Sequence, residues 1–148
     1  MFRVCKLTIA ALEVTLMHFI NGTYTAAIPF YRMLGSSMET LETRAQTLTR
    51  MLNEQKGVST QIVDDIAYVG SGSLPDEGIP TKVVRMQFDK GLTGIGSTEE
   101  MSTKLRLGLT SVFCRVHSDW LYCDMRTLFD GQETEIADSI RSIVKETR

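Results

Sequence analysis

Val112-Phe113-Cys114-Arg115-Val116-His117-Ser118-Asp119-Trp120-Leu121-Tyr122-Cys123-Asp124-Met125 is the stretch on which the fold turns. Val112 to Val116 and Trp120 to Met125 are rich in β-branched and aromatic residues and read as two strands. His117-Ser118-Asp119 between them is short and polar, so the pair reads as a hairpin. A tight hairpin makes its strands antiparallel. Just upstream, Ser97 with Glu100 three residues on forms a capping box that opens a short helix with Met101 and Leu105 inward. Further back, Val84, Met86 and Phe88 alternate with Val83, Arg85 and Gln87, which predicts a strand with one core face.

The period-two pattern begins earlier still. Val58, Thr60 and Ile62 alternate with polar residues, and Ile66 to Val69 continues the extended reading. Gly70 to Pro80, rich in Gly, Ser and Pro, reads as a loop. Ahead of these strands, Ser36 and Glu39 form a first capping box. Behind it Met38, Leu41, Ala45, Leu48 and Leu52 recur at three- and four-residue steps, an amphipathic helix that Gly57 stops. A last helix is expected from about Glu133 to Lys145, with Ile136, Ile140, Ile143 and Val144 on one side. The expected fold is therefore α+β: an antiparallel sheet of about four strands with helices on one face.

The N-terminal stretch is different. From Lys6 to about Asn21, apolar residues fall almost all round: Leu7, Ile9, Ala10, Leu12, Val14, Leu16, Met17, Phe19 and Ile20. A helix of this kind has to be covered on every side, so it reads as a buried helix packed on a partner subunit or on a domain outside this chain. It is too short to span a bilayer, and Glu13 and His18 interrupt it. Ile28-Pro29 starts a short segment through Leu34, closed by Gly35. The chain divides on this reading into a helical arm, 1–35, and an α+β domain, 36–148.

Composition sets limits on function. With 148 residues, 43% hydrophobic and 23% charged, the chain can bury a core without disulfides or metals. Sixteen basic against 18 acidic residues give a formal charge of -2, which supplies no basic footprint for sequence-independent nucleic-acid binding. Cys5, Cys114 and Cys123 form no C-x-x-C pair and read as buried or half-buried free thiols. Two histidines are too few for a zinc site, so no metal is expected.

Catalytic patterns are sparse. His18 reads as a helix-packing residue and His117 as a solvated turn residue. Gly70-Ser71-Gly72-Ser73 lacks the ending of a phosphate-binding loop. Asp64-Asp65 and Asp76-Glu77 read as solvated acids. Arg3, Arg32, Arg85, Arg106, Arg115 and Arg126 fall at element ends or in strands. Arg is the side chain best shaped to grip a phosphate or carboxylate in two places, although a strand arginine commonly pairs with a neighbouring carboxylate such as Asp124.

Several stretches together resemble one family. Arg3-Val4-Cys5-Lys6-Leu7-Thr8 with Ala10-Ala11-Leu12-Glu13 is similar to an Arg-Val-Asp-Lys-Leu-Thr and Ala-Ala-Leu-Glu run. Ile28-Pro29 with Arg32-Met33-Leu34, then Val69-Gly70-Ser71-Gly72-Ser73-Leu74-Pro75 with Ile79-Pro80, follow in order. Leu105-Arg106 with Gly108, Arg115, and Asp124-Met125-Arg126-Thr127 close the series. The collinear set resembles the C-terminal part of the bacterial selenocysteine synthases, the L-seryl-tRNA(Sec) selenium transferases.

The resemblance implies the small domain of a fold-type-I pyridoxal 5'-phosphate enzyme, cytoplasmic and homo-oligomeric. Its family converts seryl-tRNA(Sec) to selenocysteinyl-tRNA(Sec) with selenophosphate. It implies a cofactor lysine in a Gly-Asp-Lys segment that none of Lys6, Lys56, Lys82, Lys90, Lys104 or Lys145 matches, so no cofactor is expected on this chain alone, nor activity, and the tRNA is expected to be held by other regions. It also implies one functional residue: Arg3 matches an arginine placed as an anion contact for selenophosphate, whose companion arginine would fall before Met1. Cys5 stands where the family has an acid, Ser71 where it has Gly, and Cys114 where it tends to Gly. Two other readings are the small domain of a related lyase, such as an ammonia lyase acting on an amino-sugar phosphate, and a non-enzymatic dimerisation module.

Overall fold

A computed structural model describes residues 3–69 and 78–147. The chain divides into two units, Met1–Ser36 and Ser37–Arg148. The readings that rest on Gly70–Ser73, Leu74–Pro75 and Asp76–Glu77 lie outside the described residues.

The first unit holds three helices: α1 (Lys6–Ile20), α2 (Tyr24–Ala27) and α3 (Pro29–Leu34). Pro29 sits in the first turn of α3, where its fixed φ and missing N–H suit a helix start. Phe19 stacks on Tyr24 with ring centroids 5.0 Å apart, and Tyr31 meets both edge-on. His18 Nδ1 and Thr23 Oγ1 are hydrogen-bonded at 2.9 Å, which ties the end of α1 to the following turn. No residue of α1 is buried, and Leu7 keeps 79% of its surface exposed. The cover expected for this helix, from a partner subunit or a domain outside this chain, is not supplied by the described residues of its own unit.

The second unit contains α4 (Met38–Asn53), β1 (Val58–Tyr68), β2 (Gly78–Phe88), α5 (Lys90–Thr93), α6 (Thr98–Leu107), β3 (Arg115–His117), β4 (Trp120–Asp124), a 3₁₀ turn (Met125–Thr127) and α7 (Gln132–Thr147). The strands make one antiparallel sheet in the order β1-β2-β4-β3. The expected α+β architecture is what forms. Helix α4 packs on β1 and β2, α6 on β3 and β4, and α7 on both helices. Leu41, Leu48 and Leu52 from α4, Val84 and Met86 from β2, Leu121 and Cys123 from β4, and Ile136, Ile140 and Val144 from α7 share the core.

Several details differ from expectation. The first capping residue is Ser37, whose Oγ accepts from Thr40 N at 3.2 Å; Ser36 Oγ donates instead to Arg32 O. The second box forms at Ser97 as read, accepting from Glu100 N at 3.1 Å, but Glu100 Oε2 accepts from Gly96 N rather than from Ser97. β1 runs unbroken through Asp64-Asp65, because neighbouring cations meet both acids. β2 already begins at Gly78, and Pro80 lies where β2 pairs with β1 alone, outside the Val83–Met86 ladder to β4. The hairpin turn is shorter than expected. His117 closes β3 opposite Trp120, while Ser118 and Asp119 take φ of 49° and 60°, the two-residue turn that matches strand twist.

Candidate functional site

The sequence points to Arg3, and its surroundings are set by how α1 starts. Cys5 is the N-cap, in extended conformation with φ -62° and ψ 140°, and its carbonyl accepts from Ile9 N at 3.1 Å. The thiol makes no capping bond, and no acid lies in the first turn. The first-turn N–H groups of a helix have no intrahelical partners and carry the positive end of its dipole. An aspartate at this position would accept from them and cancel part of that charge; cysteine does neither. Arg3 is exposed two residues before the cap, and Lys6 opens the helix. The three features leave the start of a 15-residue helix electropositive, suited to an anion.

The other arginines separate into distinct roles. Arg32 is exposed on α3, and Arg106 is exposed near the end of α6. Arg126 is buried and donates from Nη2 to Pro80 O, which clasps the 3₁₀ turn to the start of β2. Arg85, on the sheet face away from the helices, donates from Nε to Gln61 Oε1 at 2.9 Å and lies 4.4 Å over the Trp120 ring. Arg115 pairs with Asp65, not with Asp124. Asp124 is taken up elsewhere, accepting from Thr81 Oγ1 at 2.6 Å and from Arg126 N at 2.9 Å. Val63, Asp65, Arg85, Arg115, His117 and Tyr122 line a shallow depression on that face.

Of the acids read as solvated, Asp64 and Asp65 have partners. Asp64 meets Lys82 at 2.8 Å, and Lys82 also meets Glu42 of α4 at 2.9 Å. The Lys82 bond holds the Glu42 carboxyl below its ordinary value, and the Asp64 and Glu42 bonds raise Lys82. Partial burial opposes charge on Asp65, but bonds from Arg115 and the Ile66 N–H outweigh it and lower its pKa. Sequence alone did not reveal Arg44, whose guanidinium reaches Glu133 at 2.9 Å where both are largely buried. This pair joins α4 to α7 and is structural.

The residues present do not fit an aldehyde cofactor. Such a group needs an amine that deprotonates readily, as a lysine in an apolar or cationic setting does. Lys82 is held protonated by two carboxylates, Lys104 sits beside Glu100, and Lys6, Lys56, Lys90 and Lys145 are exposed. Four surface concavities among the described residues have linings free of lysine. Among those residues, no group of three or more His, Cys, Asp or Glu is placed to hold a metal ion. No helix there is long and apolar enough to cross a membrane.

Comparison with known proteins gives consistent results. The family model described as L-seryl-tRNA selenium transferase matches residues 1–129. The L-seryl-tRNA(Sec) selenium transferase of Clostridium botulinum strain Hall is 36% identical over 145 residues, covering 97% of this chain. That of Aquifex aeolicus is 32% identical over 142 residues, covering 96%. The chain spans 30% of the length of each relative. Among solved structures, that of D-glucosaminate-6-phosphate ammonia-lyase aligns with 76% of this chain and 27% of its own, at 16% identity and a TM-score of 0.47. With the family match covering most of its length and the Arg3 to Thr127 series in order, the chain belongs to the L-seryl-tRNA selenium transferase family.

Proposed function

We propose that residues 1–148 serve as the C-terminal part of a selenocysteine synthase, the enzyme that turns seryl-tRNA(Sec) into selenocysteinyl-tRNA(Sec) with selenophosphate. Residues 1–35 act as a helical arm that connects to a pyridoxal-phosphate-binding domain, and 36–148 as the small α+β domain. When bound in that larger domain, the cofactor supplies the electron sink that lets the seryl hydroxyl leave. Its lysine comes from outside residues 1–148. The apolar surface of α1 supports assembly into a homo-oligomer, in a cytoplasmic setting. The near-balanced charge supports a tRNA grip located elsewhere in the enzyme.

The observation that carries this reading is the collinear family match over residues 1–129. Within it, Arg3 is the anion contact: its guanidinium and the uncapped start of α1 bind and orient a selenophosphate oxyanion. A chimera tests this, with residues 1–148 replacing the corresponding part of the Aquifex aeolicus relative in a selenium-transfer assay. The chimera is expected to be active. Arg3→Ala is expected to lower kcat/KM for selenophosphate by about 10- to 100-fold, the loss of one charge-assisted contact, with Arg3→Lys recovering part of it. An Arg3→Ala chimera as active as its parent would reject the role of Arg3, and an inactive but folded parent would reject the domain assignment.

A further inference from the structure

The β3–β4 hairpin carries a feature that selenium transfer does not use. The register pairs His117 with Trp120, Val116 with Leu121, and Arg115 with Tyr122. Cys114 immediately precedes Arg115 and Cys123 immediately follows Tyr122, so the two cysteines flank the last paired rung of the hairpin. Were the ladder continued by one rung, alternation from the His117–Trp120 turn pair would make this a non-hydrogen-bonded position. In such pairs the Cα atoms approach to about 4.5 Å, inside the range a disulfide spans. Both side chains point to the helix side of the sheet, since Cys123 belongs to the core and Cys114 packs against it.

We propose that Cys114 and Cys123 form a peroxide-reactive dithiol that closes to a cross-strand disulfide, with Cys114 attacking and Cys123 resolving. Their exposures divide the labour. Cys114 is half-buried and reachable by a small oxidant, whereas Cys123 keeps 4% of its surface. A hydrogen bond from Cys123 stabilises a thiolate on Cys114 and lowers its pKa against the opposing effect of burial, while Cys123 is pushed up and keeps its proton. The oxidant is hydrogen peroxide. The Cys114 thiolate attacks one peroxide oxygen and the O–O bond breaks; the departing hydroxide takes a proton and leaves as water. Cys114 is then a sulfenic acid. Cys123 sulfur attacks Cys114 sulfur, the S–O bond breaks, and the Cys123 proton leaves with that oxygen as a second water. Two thiols and one peroxide become one disulfide and two waters. Cys5 lies in the other unit, is exposed, and has no part in this step.

The test treats the reduced full chain with hydrogen peroxide, blocks remaining thiols with iodoacetamide in denaturant, and maps the peptides by mass spectrometry. The expected product is a peptide pair joined through Cys114 and Cys123, with Cys5 alkylated, and its yield reverses with dithiothreitol. In Cys123→Ser the sulfenic acid has no resolving partner, so dimedone labelling of Cys114 is expected to rise about tenfold over the wild type. A wild-type map in which Cys114 and Cys123 both remain alkylatable would overturn the proposal. So would a map with Cys114 as sulfinic acid unbridged, or with Cys5 bridging two chains. The wild-type map decides the matter even if the variant fails to fold.

Discussion

Gly94 shows how much one backbone position controls. It holds φ at 75° at the end of α5, and a Cβ there would lie 2.5 Å from Thr147 O. An L side chain is strained at this φ, and the contact is with main chain that cannot swing away. Gly94→Ala is expected to destabilise the folded chain by about 2–3 kcal/mol in urea unfolding, against a few tenths for a substitution at open, exposed Thr103. The Glu42–Lys82 pair gives a second test. A carboxyl whose folded pKa is lowered contributes stability above its unfolded value, here near 4.5, and loses that contribution as pH falls through the folded value. Urea midpoints of the wild type should therefore drop between about pH 5 and pH 3, and Glu42→Gln should flatten part of that drop. At this scale the sequence was only partly legible. Arg115 and Asp65 lie on the first and last strands of the sheet order, so their pairing depends on topology that no local pattern encodes. The anion contact proposed for Arg3 rests on its place in a motif, and the uncapped helix start beside it on the Cys5 thiol making no bond.

Elements were more readable than residues, because a strand with one buried face or a helix with one buried stripe has to write that face into its sequence. Leu41, Ala45, Leu48 and Leu52 are buried along α4 as their spacing requires. The errors came where two neighbours were chemically equivalent or where partners stood on other strands. Ser36 and Ser37 are both competent caps, and backbone dihedrals select Ser37. The acids in β1 look like a break until Lys82 and Arg115 are placed beside them. α1 is apolar almost all round, which calls for cover from outside this chain, and its apolar residues are exposed among the described residues. Leu12→Glu with Leu16→Glu is therefore expected to leave the urea midpoint of the second unit unchanged within about 0.5 kcal/mol, while reducing self-association in sedimentation velocity. Loss of the α+β transition in this variant would show that α1 is integral to the core after all.

At the scale of the whole molecule, the chain holds a well-packed α+β unit and a helical unit that exposes apolar surface, and it spans 30% of its relatives' length. Such a chain can fold its second unit, present Arg3 on the first, and still depend on a cofactor lysine supplied elsewhere. The most direct test of that dependence is to incubate residues 1–148 with pyridoxal 5'-phosphate, reduce with borohydride, and locate phosphopyridoxyl-lysine by mass spectrometry across a concentration series. The account predicts only weak, non-saturating labelling spread over Lys6, Lys56, Lys90 and Lys145. Saturable, one-to-one labelling of a single lysine would contradict it.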